Sequence, residues 1–259
     1  MKPSYIRHLI AAAAVCILGA AASAEASVVT IRAVQVCNDD GSACASANTY
    51  ESFADKIWAQ AGIDFMFLPA VVWNMSSINT YNYDADDGVS LLTQGTARFG
   101  DPLTTNIINM YFISDLQVAS GILYGFGCGA PIFAAGCGNQ AGVVINATEV
   151  AAYSAVGRID TVAHEVGHVL GLTHVDNGGG AADNLMTTGD DRTVPQSLAE
   201  ITSDGTAGLS ILTAEQIAIA QDSPFVQAVP EPSSFALVGL ALAGLRIVRR
   251  RRWNALGSR

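Results

Sequence analysis

The stretch from His164 to His174 reads H-E-V-G-H-V-L-G-L-T-H, and it restricts the fold more than any other part of the chain. A helix over its first half puts His164 and His168, four residues apart, on one face. Two imidazoles at that spacing can hold one metal ion, and zinc takes nitrogen ligands in a tetrahedral arrangement. Glu165 stands beside the first histidine, where a carboxylate can act on a metal-bound water. Gly171 falls one turn beyond His168 and can take the positive φ that ends a helix and turns the chain sharply. That turn lets His174 return as a third ligand and leaves the fourth position to water. Three protein ligands plus water is the catalytic pattern, whereas structural zinc is closed by four. The alternative is a helix whose histidines are satisfied surface or core residues. The chain has only four histidines, and three of them sit here at ligand spacing, which favours the metal site.

These residues resemble the extended zinc signature of the metzincin metallopeptidases, H-E-x-x-H-x-x-G-x-x-H, at all five fixed positions. The run Gly167 to His174 is most similar to the matrixin and serralysin branches. Asn184-Leu185-Met186-Thr187 resembles the family's Met-turn, a methionine beneath the metal histidines. No tyrosine follows it closely, so the tyrosine ligand of astacins and serralysins is not expected. The resemblance implies one catalytic zinc on His164, His168 and His174, with Glu165 as general base for a zinc-activated water that attacks a peptide carbonyl. It also implies a fold: a mixed twisted sheet with a backing helix and a zinc-binding active-site helix, an antiparallel edge strand along which substrate lies, and a small C-terminal subdomain with the Met-turn.

Neither end of the chain reads as part of that fold. Lys2 and Arg7 precede an apolar run from Leu9 to Ala22 and small residues ending at Ala24, the layout of a secretory signal peptide over residues 1–24. At the other end, Val-Pro-Glu-Pro (229–232) precedes an apolar run from Phe235 to Val248 and the arginines 249–252. That run is short for a membrane span, which needs about 20 residues. Pro-Glu-Pro, a short hydrophobic helix and a terminal arginine cluster resemble the PEP-CTERM sorting signal of Gram-negative bacteria. The resemblance implies export to the cell envelope or extracellular matrix, transient anchoring of residues 229–259 in the inner membrane, and processing by an exosortase. A plain C-terminal anchor or basic amphipathic tail is the alternative.

Residues 25–228 remain as the candidate catalytic domain. They hold five basic and 22 acidic residues, a net charge of about −17 that repels nucleic acid and anionic membrane surfaces. Calcium is compatible with such acidity, but the fragment Asp84, Asp86, Asp87, Gly88 lacks the closing glutamate of a calcium loop and reads as a solvated turn. Cys37, Cys44, Cys128 and Cys137 are an even set in an exported chain, which argues for two disulfides among three possible pairings. The local pairs Cys37–Cys44 and Cys128–Cys137 are favoured over zinc coordination, because neither spacing is C-x-x-C. Cys128-Gly129-Ala130-Pro131 has only a superficial likeness to the cysteine switch of matrixins, since it lies inside the expected domain.

The element pattern agrees with an α/β (α+β) class. Val28 to Val36, Ile63 to Leu68 (ended by Pro69), Asn106 to Ser114, Gly121 to Phe126 and Gly142 to Asn146 read as strands. Gly121 to Phe126 is the candidate edge strand, with the Cys128–Cys137 loop as a rim. Thr49 to Ala61 has helical spacing with Gly62 as its stop, and a second helix carries Arg158, Ile159, Val162, Val166 and Val169 on to Leu170. Leu212 to Gln221 reads as the last helix, with Thr213 and Gln216 as a capping box. Ala70 to Pro102 yields no readable element. Three readings follow: a secreted zinc endopeptidase acting on protein or peptide substrates, an exported surface or matrix binding protein that retains the fold, or a zinc hydrolase acting on something other than peptides, against which only the family resemblance argues. The intact Glu165 favours the enzyme, because a binding module has no need of that carboxylate.

Overall fold

The first strand, β1 (Ser27–Cys37), runs through the interior of the sheet and is buried on both faces. Its Val29, Ile31 and Ala33 enter one hydrophobic cluster and its Val34 and Val36 another. A strand so placed must be covered on both sides, as in parallel sheets of α/β proteins. The computed structural model describes residues 27–129, 137–175, 181–189, 191–202 and 207–229, and Ser27–Ala228 forms one compact unit. The expected signal segment and sorting tail lie outside the described residues, apart from Val229. Among the described residues no helix is long and apolar enough to cross a membrane.

The sheet has the order β2 (Ile63–Asn74), β1, β4 (Ile107–Ile113), β7 (Gly142–Asn146), β6 (Gly125–Cys128). The first four are parallel, and β6 alone closes that row antiparallel to β7. A two-residue strand, β8 (Gln227–Ala228), adds to the start of β1, and β3 (Thr80–Asn82) pairs with β5 (Asp115–Gln117) in a separate parallel pair. The sheet is therefore mixed, with an antiparallel edge at β6. On one face pack α1 (Glu51–Trp58) and the site helix, Thr161–Val169, around Trp58, Val162 and Val166. On the other face packs α2 (Val89–Phe99), through Leu91 and Leu92.

Three strand and helix boundaries differ from the sequence reading. β2 does not end at Pro69 but continues to Asn74. Arg32 pairs with Leu68 and Val34 with Val71, so Ala33 stands opposite the two residues Pro69 and Ala70. A proline without an N–H is tolerated at such a bulge on an edge strand. The edge strand is Gly125–Cys128 rather than Gly121 to Phe126, and Gly121 sits in a turn at φ +77°. The site helix starts at Thr161, three residues after Arg158.

The unread region holds α2. Its Gly95 weakens the helical signal, yet a Cβ there would meet the Tyr111 hydroxyl at 2.1 Å, so this position needs glycine. Asp86 accepts hydrogen bonds from the Tyr81 hydroxyl and the Ser90 N–H, which holds the turn at Asp84–Gly88 to the start of α2. Cys37 is bonded to Cys44 and Cys128 to Cys137. The Cys128 sulfur is therefore not available as a switch thiolate, and most of the proposed rim, residues 130–136, lies outside the described residues.

Candidate metal centre

The site helix is buried nearly all round, as a helix between a sheet and a second layer must be. Trp58 Nε1–H of α1 donates to Ala163 O at 3.2 Å and ties the two helices together. The helix ends in two bonds, Leu172 N–H to Gly167 O at 2.9 Å and Gly171 N–H to His168 O at 3.1 Å, with Gly171 at φ +103°. This is the Schellman ending that glycine favours. The chain reverses there and brings His174 back.

His164, His168 and His174 converge, their nearest ring nitrogens all lying within 4.8 Å of one another. His174 Nε2 is 3.2 Å from His164 Nε2 and 3.2 Å from His168 Nε2. Two nitrogens about 2.05 Å from a tetrahedral zinc would lie roughly 3.3 Å apart, so the donor set fits that ion. His168 Nδ1–H donates to Leu172 O at 2.8 Å, and a carbonyl can only accept, so His168 Nε2 keeps its lone pair for a metal. His164 Nδ1 lies 2.7 Å from Leu185 O and 2.6 Å from the Arg192 Nη1 donor, which together hold the ring in place. Burial, with the Arg192 guanidinium behind it, holds His164 well below the ordinary imidazole value, and burial lowers His168 to about 4. Both rings are thus neutral, as ligands must be.

Glu165 is 6 % exposed and shares the pocket wall with the three imidazoles. Burial pushes its carboxyl up to about 8, while Arg192 and Arg158 pull it down. A bound dication would act in the same direction as those guanidinium groups.

Met186 is fully buried under the helix. A Cβ on Gly167 would lie 2.7 Å from Met186 Sδ, so the glycine inside H-E-V-G-H admits the methionine. Asn184 Oδ1 accepts from Met186 N–H at 2.8 Å, and the Asn184 amide exchanges two hydrogen bonds with Gln216. Gln216 also completes the capping box of α3 (Ala214–Gln221) with Thr213, so the last helix anchors the turn at Met186.

Sequence reasoning missed two cations and one carboxylate. Arg192 is fully buried with Asp160, Nε to Oδ2 at 2.8 Å. Its Nη1 donates to Leu185 O and Thr187 O and lies 2.6 Å from His164 Nδ1. The pair thereby joins the start of the site helix to the Met186 turn. Arg158 is 3 % exposed and lines the pocket beside Glu165. The available signal was rarity: residues 25–228 contain five basic residues, and two of them are these arginines.

The edge strand meets the helix through glycines. In Gly125-Phe126-Gly127-Cys128-Gly129 the alternate glycines face inward, where added Cβ atoms would approach Val144 O at 2.6 Å, Glu165 O at 2.0 Å and Val169 O at 2.4 Å. Side chains would force the strand away from the site, and their absence brings its backbone to the pocket wall.

Residues 44–175 match the metallopeptidase family M12B, reprolysin-like, and residues 228–252 match the PEP-CTERM protein-sorting motif. No curated protein matches the chain. Among solved structures, archaemetzincin from Archaeoglobus fulgidus is similar at 17% identity and TM-score 0.38, over 73% of this chain and 99% of that one. A zinc-dependent peptidase from Methanocorpusculum labreanum has 10% identity and TM-score 0.38 over 73% and 99%, and mirolysin 14% and 0.41 over 74% and 88%. The sorting motif supports export and delivery to the Gram-negative cell envelope. With the matched segment spanning just over half of its length, the chain belongs to the reprolysin-like M12B metallopeptidases and is a zinc metallopeptidase that carries an export-sorting motif.

Proposed function

We propose that the chain is an endopeptidase in which His164, His168 and His174 hold one zinc ion, Glu165 is the general base, and Met186 forms the turn beneath the ligands. The observation that carries this reading is the buried Glu165 carboxylate on the same pocket wall as three imidazoles whose Nε2 atoms lie 3.2 Å apart in two pairs. When bound, zinc supplies Lewis acidity to the peptide carbonyl and to water. Glu165 takes the proton of the attacking water and passes it to the leaving amine, so one carboxylate serves both halves of the reaction. The Leu172 carbonyl keeps the His168 ring in the ligating tautomer, and Leu185 O with Arg192 Nη1 holds the His164 ring in place. The outer edge of β6 offers its backbone to an extended peptide, which adds to the sheet as one more strand.

In the same reading, residues 1–24 are the signal peptide, 25–228 the catalytic domain and 229–259 the sorting segment, held transiently in the inner membrane and processed by an exosortase. The test is cleavage of an unfolded protein by the oxidised, zinc-loaded chain beside Glu165→Ala. Activity lost both with chelator and in the variant is the expected result. A folded wild type that binds zinc and cleaves nothing would refute the endopeptidase.

A further inference from the structure

A buried guanidinium with no carboxylate in ion-pair distance among the described residues stands in the pocket wall, and its surroundings point to what it binds. Arg158 is 3 % exposed, and its only ordinary hydrogen bond among the described residues is Nη2–H to Gly189 O at 2.8 Å. Its Nε has no partner. Among the described residues the one carboxylate within ion-pair distance of an arginine belongs to Asp160, and it is taken by Arg192. The Arg158 guanidinium lies over the ring of Tyr124 at 4.4 Å and near that of Tyr153 at 5.4 Å. Stacking fixes the plane of the fork without neutralising it. Asp160 acts on Arg158 only from beyond ion-pair distance. A buried cation with no hydrogen-bonded carboxylate is costly to maintain, and a protein keeps one where an anion arrives to share it.

The place of Arg158 tells which anion. It lines one cavity of about 370 Å³ together with Tyr124, Glu165, the three imidazoles and Gly189. A peptide seated for attack at Glu165 directs a neighbouring side chain into that cavity. Gly189 lines the same cavity next to the terminal nitrogens of Arg158 and accepts from one of them.

Resting on the peptidase reading, we infer that Arg158 selects substrates by pairing with a carboxylate next to the scissile bond. Two sources share that chemistry: the side chain of Asp or Glu, and the α-carboxylate of a peptide whose C-terminus lies one residue beyond the cleaved bond. The place of Arg158 in the wall of the cavity suits the side chain, and the experiment separates the two.

The zinc-loaded chain is given unfolded proteins and the products are sequenced by mass spectrometry. Blocked peptides differing only by Glu, Gln or Leu at each position flanking the cut are then compared, and the Glu peptide is repeated with a free C-terminus. The expected result is an excess of Asp and Glu at one flanking position and kcat/KM for Glu roughly tenfold to a hundredfold above Gln, the range a charged hydrogen-bonded pair supports. Arg158→Met removes that preference and Arg158→Lys keeps part of it. Binding of the blocked peptides to zinc-loaded Glu165→Gln, measured by calorimetry, shows the same order without turnover, and the order vanishes in Glu165→Gln/Arg158→Met. If cuts occur with Gln or Leu favoured equally, the acidic subsite is wrong while the peptidase reading stands. If only free C-termini are cut, the partner is the α-carboxylate and the side-chain assignment falls. Cleavage of nothing overturns the peptidase reading and this inference with it.

Discussion

Gly127 tests whether the approach of β6 to the site helix is what builds the site. A Cβ at this position would lie 2.0 Å from Glu165 O and 3.0 Å from His168 Cβ, against the 3.4 Å at which ordinary contact begins. Both obstacles belong to the helix that carries the ligands, and one is backbone, so no side-chain rotation relieves the clash. Gly127→Ala must open the gap between strand and helix by about 1.4 Å. Overpacking of this kind costs about 1–3 kcal/mol. For a domain of this size the melting temperature should fall by roughly 3–10 °C. Catalysis suffers more, because displacing reacting groups by about 1 Å can cost on the order of a hundredfold. The assays are a thermal melt, zinc stoichiometry and kcat/KM on one peptide. A protein that keeps its zinc, melts a few degrees lower and loses about two orders of magnitude in kcat/KM fits the geometry. An alanine variant indistinguishable from wild type in all three would refute the account of the glycine face.

Other perturbations separate the remaining contributions. Glu165→Gln should lower kcat by on the order of 10²–10⁴ with zinc retained, and a variant as active as wild type would remove Glu165 from the proton transfer. Arg192→Met leaves Asp160 buried without its cation and should cost about 3–5 kcal/mol in a denaturant titration, most of it regained in Arg192→Met/Asp160→Asn. No rescue by the second change would mean that the arginine acts mainly through the Leu185 and Thr187 carbonyls. In the metal-free protein the unfolded His168 takes a proton as pH falls below about 6.5, whereas the folded ring waits until about 4, so stability should drop across that window. Partial exposure of the ring limits the effect to about 2 kcal/mol, and a melt that is flat between pH 7 and 4.5 after chelation would contradict it. Opening the Cys128–Cys137 loop with paired serines should cost about 2–3 kcal/mol by loop entropy, read from the denaturation midpoint.

The clustering of the three imidazoles was legible because helix geometry is local. The spacing from His164 to His168 needs only a helix turn, and the reversal that recovers His174 needs only Gly171 at φ +103°. The capping box at Thr213 and Gln216 was legible for the same reason. The second use of Gln216, clamping Asn184 across 32 residues, is a tertiary contact that no local pattern encodes. Pro69 misled for a physical reason, since a missing N–H ends a strand only where the ladder needs that donor, and at a bulge on an edge strand it does not. Gly95 concealed α2 because its lost propensity is repaid by room for Tyr111.

Arg158 and Arg192 were the least readable of the site residues, although each is one of only five basic residues in a strongly acidic domain. Charge patterning assigns a lone arginine to a solvated surface, and 95% or more burial of both inverts that expectation. Burial separates their roles in turn. Arg192 meets Asp160 and three groups around His164 and the Met186 turn, so its charge is consumed within the fold. Arg158 sits over tyrosine rings with an unsatisfied Nε, and its charge faces the cavity beside Glu165. A fold that needed Arg158 only for packing would be served by an uncharged side chain at lower desolvation cost. Retaining a guanidinium there is consistent with a substrate that brings the missing carboxylate.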